Sequence, residues 1–314
     1  MEQQKFLKAC RTNDIQTLQS LDYSRINIHA YDEYAFRYAC RNGHLDIVKF
    51  LLALEPDHGR INIHEHNEET FREACHNGHL DVVKFLLTLE PDHGQFDIHI
   101  MDEDVFRFAC YKGHHDLVKF LLTLEHDHGC IDIHTGGEYS FRYACRNDHL
   151  DVVKYLISLE PNHNRINIHA DEDYAFQLAC ENGHLDVVKY LISLEPSHES
   201  IDIHARNEWA FRWACYNGHL DVVKYLISLE PDHGHIDIHA WDDIAFTKGN
   251  FHIKQLLIRL DPNYDWKNMH EYQKYCEELN QIVDNLSILH QKMIQLRTNI
   301  LELNVIGIIK EYLI

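Results

Sequence analysis

The chain has 314 residues, 45% of them hydrophobic and 25% charged, with 13 Gly and only 6 Pro, a composition that builds a buried core and excludes a disordered polymer. Fifty acidic residues against 29 basic ones leave a formal charge of −21 at pH 7, a field that repels phosphate and anionic lipid and argues against nucleic acid and membrane surfaces as partners. The opening Met1-Glu2-Gln3-Gln4-Lys5-Phe6 lacks the apolar stretch of a signal peptide, and no run reaches the ~18 apolar residues of a membrane span, so an intracellular, cytoplasmic chain is expected.

Self-similarity organises everything before residue 263. Cys40, Cys75, Cys110, Cys145, Cys180 and Cys215 stand 35 residues apart, and the same step links Phe36, Phe71, Phe106, Phe141, Phe176, Phe211 and Phe246. A period in this range means stacked supersecondary units. Residues 1–25 read as an N-terminal capping half-repeat, in which Phe6 and Cys10 keep the spacing of Phe36 and Cys40 while polar Gln16, Gln19 and Ser20 replace residues that are Asp, Lys and aromatic elsewhere. Six full units follow at 26–60, 61–95, 96–130, 131–165, 166–200 and 201–235, with a truncated seventh at 236–262.

Within a unit, Phe36, Ala39, Cys40 and Gly43 fall at i, i+3, i+4 and i+7, one face of a first helix. Gly43 suits the left-handed residue that ends this helix, and Asp148 takes its place in unit four. Leu45, Val48, Leu51 and Leu52 mark the inner stripe of a second helix, Pro56 is expected to stop it, and Ile61-Asn62-Ile63-His64 leads on as a short extended link. The predicted fold is all-α, a solenoid of stacked helix-turn-helix units.

Tyr34-Ala35-Phe36-Arg37-Tyr38-Ala39-Cys40, Gly43 to Leu52, and Asn62-Ile63-His64-Glu65 resemble the TPLHxAA, GHLEVVKLLL and DVNA segments of the ankyrin repeat over about residues 1–262. The resemblance implies short extended or hairpin links and a protein-binding role. The stretch from the DVN-like site to the first helix is about three residues shorter than the family's, so the β-hairpin finger is expected to be blunted. The phrasing IDIHA…FRxACxNGHLDVVKYLISLEP is also similar to the ankyrin family of giant, Mimivirus-like DNA viruses, which implies a host-cell location.

Nine cysteines invite a disulfide or metal reading. Stacked helices lie ~8–10 Å apart, beyond the ~7 Å limit for bridging Cα atoms, so the column reads as small buried hydrophobes. The 27 histidines sort into ladders: six after the helix-joining glycine position (His44 to His219), six after the second helix (His58 to His233) and seven at the end of the link (His29 to His239). Ladder spacing is too wide for zinc, and backbone hydrogen bonds between units are the expected role. His126, His128, Cys130 and His134 form the one local cluster, but they continue the repeat, and no metal or cofactor is expected. Protonating every histidine moves the formal charge from −21 to +6, which opens a pH-dependent association. No Gly-rich phosphate loop, G-x-S-x-G or H-E-x-x-H occurs, and no catalytic residue is assigned.

A solenoid repeats its framework and varies its contact positions. The positions opposite the Phe-Ala-Cys face vary most, with Tyr34-Tyr38-Arg41, Glu69-Glu73-His76, Asp104-Phe108-Tyr111, Tyr139-Tyr143-Arg146, Tyr174-Leu178-Glu181 and Trp209-Trp213-Tyr216. The candidate protein-binding residues are Tyr34, Tyr38, Arg41, Phe108, Tyr111, Tyr139, Tyr143, Trp209, Trp213, Tyr216, Arg212 and Trp241, with the densest aromatic and arginine content in units six and seven. Packing between units and sealing of the stack are the alternatives for these rings. Arg37, Arg72, Arg107, Arg142 and Arg212 run beside them and are expected to pair with Glu33, Glu68, Glu103, Glu138 and Glu208.

After Pro262, Tyr272, Tyr275, Leu279, Ile282, Leu286, Leu289, Met293, Leu296, Ile300 and Leu303 alternate steps of three and four, a heptad stripe. Residues 263–314 are thus a helical segment that either caps the stack or forms a coiled-coil homodimer through 272–303. Residues 301–313 also resemble, faintly, the F-box-like tail of poxvirus ankyrin proteins, which implies as an alternative function a ubiquitin-ligase substrate adaptor.

Overall fold

The computed structural model describes residues 1–159, 164–194, 198–266 and 269–312, with the side chains of Glu125, His126 and residues 296–312 outside the description. It is all-helical among the described residues. In the first full unit the first helix spans Ala30–Arg41 and the second Leu45–Ala53. The pattern returns every 35 residues, at Glu65–His76 and Leu80–Leu87, Ile100–Lys112 and His115–Thr123, and on to Ala205–Asn217 and Leu220–Ser228.

First helices pack on first helices and second helices on second helices, and the first helices lie in closer contact. Small residues permit this, since Ala39 and Cys40 and their repeats are fully buried at the contact. Phe36 and its successors fill the space behind them, and Ile28 and Ile63 plug the links. On the second helix the buried stripe is Ile47, Val48 and Leu51, while Leu45 and Leu52 are only partly covered, a shift of the expected face by one residue. The Lys-aromatic dipeptide of that helix is explained by its neighbour: Lys84 Nζ lies 5.0 Å from the Phe120 ring and Lys119 Nζ 5.5 Å from Tyr155, each cation over the aromatic of the next unit.

Pro56 does not stop the second helix, which ends at Ala53. It opens a separate helical turn, Glu55–His58, repeated at Glu90–His93 and Glu230–His233. The reason is that proline has no N–H to lose in a helix's first turn. The blunted finger takes an unexpected form. Tyr31, Asp32 and Glu33 have φ of 59°, 54° and 58°, a single left-handed turn at the head of the first helix, and all seven units repeat it. Left-handed backbone costs an L-residue about 1–2 kcal/mol. The turn persists because it fits the short link and aims the buried third residue, Glu33 in unit one, at the neighbouring unit.

The N-terminal segment forms two helices, Glu2–Arg11 and Ile15–Ser20, the second capped by Asp14 accepting from the Thr17 amide at 2.9 Å. At the other end Trp266, buried, sits 4.5 Å from the Phe246 ring and donates Nε1–H to the Asp261 carbonyl at 2.7 Å. A 43-residue helix, His270–Tyr312, follows. Tyr275 stacks on Phe251 at 5.1 Å, but from Glu277 to Gln295 every residue is exposed. The F-box-like resemblance at 301–313 and the heptad residues Leu296, Ile300 and Leu303 lie outside the described side chains.

Candidate protein-binding surface

Each unit presents two sets of residues on its first-helix side: the left-handed tip and the outer positions of the helix behind it. The tip's first residue reads Tyr31, His66, Met101, Gly136, Asp171, Arg206 and Trp241 along the stack, different in every unit. Tyr31 is 72% exposed, Met101 55% and Trp241 59%. Their variation in fixed register was visible in the sequence, where only Arg206 and Trp241 stood out, with the aromatic and arginine content of units six and seven. Within 26–250 the exposed large apolar side chains are Tyr31, Met101, Tyr216 and Trp241, all on this side, among the described residues.

The outer helix positions do not form one continuous patch. Tyr34 and Tyr38 pair at 5.8 Å, and Arg11 of the N-terminal segment covers Tyr34, its Nε–H donating to the hydroxyl at 3.1 Å. Arg41, mostly exposed, reaches Glu73 at 3.4 Å. A second row runs from His76 through Phe108, 4.2 Å away, to Tyr111, Tyr143 and Tyr139, the last two stacked at 4.1 Å. Unit five interrupts the row, because Leu178 is buried. Beyond it Trp209, Trp213 and Tyr216 form a third group, with ring separations of 5.3 and 4.9 Å.

Trp241 stands apart from that group. Its ring covers the Arg212 guanidinium at 4.4 Å. Arg212 is only 4% exposed, lies below the surface and donates to the Arg206 carbonyl at 3.0 Å; burial pulls its pKa down. Arg206 crosses to unit five, where it binds Asp171 at 2.6 Å and Glu172 at 2.9 Å.

The arginine ladder does not pair with the acidic rung as expected. Arg37 binds Glu69, Arg72 reaches Asp104 at 3.1 Å and Arg142 reaches Asp171 at 3.5 Å, each an acid one unit ahead. The rung is taken by histidine: His29 Nδ1 lies 2.7 Å from Glu33 and His204 Nδ1 2.8 Å from Glu208, and the same pair recurs in every unit. Glu33 also accepts the Asn62 amide at 3.3 Å, Glu138 that of Asn167 at 3.0 Å and Glu208 that of Asp237 at 3.1 Å, so the carboxylates tie successive units together. Sequence reasoning missed the pairing, although the His-x-x-x-Glu/Asp spacing carries it.

The glycine-position histidines reach backbone carbonyls of the preceding unit, His79 to Arg41 at 3.0 Å and His184 to Arg146 at 2.7 Å. The third ladder bridges as well, with His93 Nε2 3.2 Å from Glu55. Among the described residues no group of three or more His, Cys, Asp or Glu could hold a metal ion, and of the His126–His134 cluster the His126 side chain lies outside the description. No helix among them is long and apolar enough to cross a membrane.

A family model described as ankyrin repeats (3 copies) matches residues 6–102, 95–167 and 159–239. The solved structure of an ankyrin repeat family protein from Legionella pneumophila is similar at 22% identity, with 80% of this chain and 73% of that chain covered and a TM-score of 0.36. No curated protein matches.

Proposed function

The chain belongs to the ankyrin-repeat family, and from that premise we propose that it is a non-catalytic scaffold whose first-helix side receives a protein partner. The observation that supports this is the confinement of large exposed apolar side chains, among the described residues of 26–250, to Tyr31, Met101, Tyr216 and Trp241, on the side where the repeat varies. Those rings and the methionine are withheld from the core and cost water-exposed apolar area. Tyr and Trp are the residues that most often anchor interfaces. Behind them the half-buried groups around Tyr34, Tyr139 and Trp213 supply a firm floor.

The second partner we assign is another copy of the chain, through the heptad stripe of 272–303. The phrasing shared with giant-virus ankyrin proteins makes an amoebal lysate the first pool to probe. The test is affinity capture with the intact chain and with a Tyr31→Ser, Met101→Ser, Tyr216→Ser, Trp241→Ser variant. These four side chains hold little of the core, so the variant keeps its fold by circular dichroism. Loss of a specific captured protein supports the reading; identical captures overturn it. Retention of a ubiquitin-ligase subunit that survives the four substitutions and is lost on truncation before residue 301 would instead establish the adaptor alternative.

A further inference from the structure

The C-terminal helix His270–Tyr312 carries an apolar stripe that nothing covers among the described residues. Tyr272 and Tyr275 end the contact with the stack, and beyond them Leu279, Ile282, Leu286, Leu289 and Met293 lie exposed, Leu286 at 60%. An isolated helix with such a stripe does not stand alone in water, because most helical stability comes from packing the apolar face. Steps of three and four along that stripe are the a and d positions of a coiled coil.

The flanking residues say what packs on it. With Leu279, Leu286 and Met293 at a and Ile282 and Leu289 at d, the g positions are Glu278, Asn285 and Lys292, and Val283 is at e. In an antiparallel pair g faces g and e faces e. If the two-fold axis passes close to residues 283–285, Leu279 packs on Leu289 of the second copy and Ile282 on Leu286, each layer occurring twice. In the same register Glu278 meets Lys292, again twice, and Asn285 and Val283 each meet their own counterpart. Apolar, amide and charge complementarity coincide in this one alignment. Shifting it by a heptad either way leaves the Glu278 charge without a cation. In a parallel pair g of one heptad faces e of the next, so Glu278 faces Val283 and Lys292 falls opposite position 297, an arginine, and neither charge is answered.

We propose that the C-terminal helix pairs antiparallel with the same helix of a second copy, in the register that joins Glu278 to Lys292. This rests on the tail being a self-association element and adds its geometry. The interface is isologous, the closed two-fold arrangement that most soluble oligomers adopt. It also sends the two solenoids away from opposite ends of the seam, so a dimer presents two first-helix surfaces rather than one.

The test is sedimentation equilibrium on the full chain over a range of concentrations, with four variants. Wild type is expected to be a dimer, and Leu286→Lys a monomer with unchanged solenoid melting. Glu278→Lys and Lys292→Glu each place like charges together twice and are expected to weaken the dimer about tenfold at low salt. Combining them restores the wild-type constant. A monomeric wild type overturns self-association itself. A dimer that Leu286→Lys dissociates, but in which the double reversal is no better than the single ones, overturns the antiparallel register and leaves self-association standing.

Discussion

The His99 imidazole is held between Glu103 and the far end of its own unit: Nδ1 lies 2.8 Å from Glu103 Oε1, and Nε2 lies 2.8 Å from the backbone carbonyl of His128. Both contacts are acceptors, and a neutral imidazole has one N–H to give. Donating to both therefore requires the imidazolium. His29 stands likewise between Glu33 at 2.7 Å and the His58 carbonyl at 2.9 Å, and His204 between Glu208 and the His233 carbonyl. Burial opposes the charge at all three, but the carboxylate, the carbonyl and nearby Glu55, Asp97 and Asp202 outweigh it and raise each pKa above its ordinary value.

A pKa raised on folding stabilises the native state fully below the unfolded value, about 6.5, and that stability is lost as pH climbs through the folded value. His76 and His114 run the other way. Burial lowers both, Asp104 only partly offsetting it at His76 and the His76 carbonyl at His114, so their contribution is present above the unfolded value and is lost as pH falls. Melting temperature is therefore expected to peak near pH 6.5 and to decline on both sides. His99→Gln should flatten the alkaline limb and His76→Asn the acid limb. A melting curve unchanged between pH 5.5 and 8.5 would refute the assignment.

Gly113 is fixed twice over. Its φ of +72° favours glycine, and a Cβ built there would lie 2.3 Å from Nδ1 of His149, whose Nε2 holds the Tyr111 carbonyl at 3.0 Å. Gly113→Ala adds left-handed strain of about 1–2 kcal/mol and shifts the His149 ring without breaking its bond, since over Asp148 of unit four His184 still holds the Arg146 carbonyl at 2.7 Å. A loss of about 1–2 kcal/mol by urea denaturation is expected. Asp148 occupies the same position of unit four at φ 63°. Asp148→Gly should gain about 1 kcal/mol from relieved strain, because the contact it loses, an exposed carboxylate 3.8 Å from His184 Nδ1, contributes little.

The helical units, their period and their core face were legible because burial imposes a periodicity that side-chain type must obey: Phe36, Ala39 and Cys40 repeat since nothing else fits between first helices. The left-handed turn was not. Tyr31-Asp32-Glu33 and Trp241-Asp242-Asp243 contain no glycine, and only unit four, with Gly136-Gly137, shows the backbone's demand in its residues. A conformation imposed by the length of the link leaves little mark on composition. The partner of the acidic rung was misassigned for a different reason. Arginine is the customary partner of a carboxylate, yet Arg107 extends outward from the helix toward the Met101 carbonyl and the Tyr139 ring, whereas His99 already sits beside Glu103 at the base of the turn.

The left-handed turns can be tested directly. Asp102 has φ 55°, and Asp102→Gly removes strain of about 1 kcal/mol at an exposed position with no core contact, so the denaturation midpoint should rise. Gly137 has φ 65°, and Gly137→Val places a β-branched residue where such side chains are outliers. A stability lowered by about 2 kcal/mol is expected. If Asp102→Gly destabilises and Gly137→Val does not, the tips are not left-handed.

The cysteine column offers a test of the packing that the whole stack depends on. Cys10, Cys40, Cys75, Cys110, Cys145, Cys180 and Cys215 are buried, whereas Cys130 is exposed and Cys276 intermediate. Burial pushes the buried thiols up, Cys10 to about 12 and the others further. The thiolate is the reactive species, so at pH 8 these sulfurs are both unreachable and un-ionised. Iodoacetamide should label Cys130 of the native protein quickly and Cys276 more slowly. The column should react only as fast as units open, and in urea all nine should label. Because stability in a solenoid is a sum over neighbouring units, peptide mapping after short exposures should show Cys10 at the thin N-terminal segment yielding before Cys110 and Cys145 in mid-stack. Labelling of Cys110 at the rate of Cys130 would show that the first helices do not pack against one another.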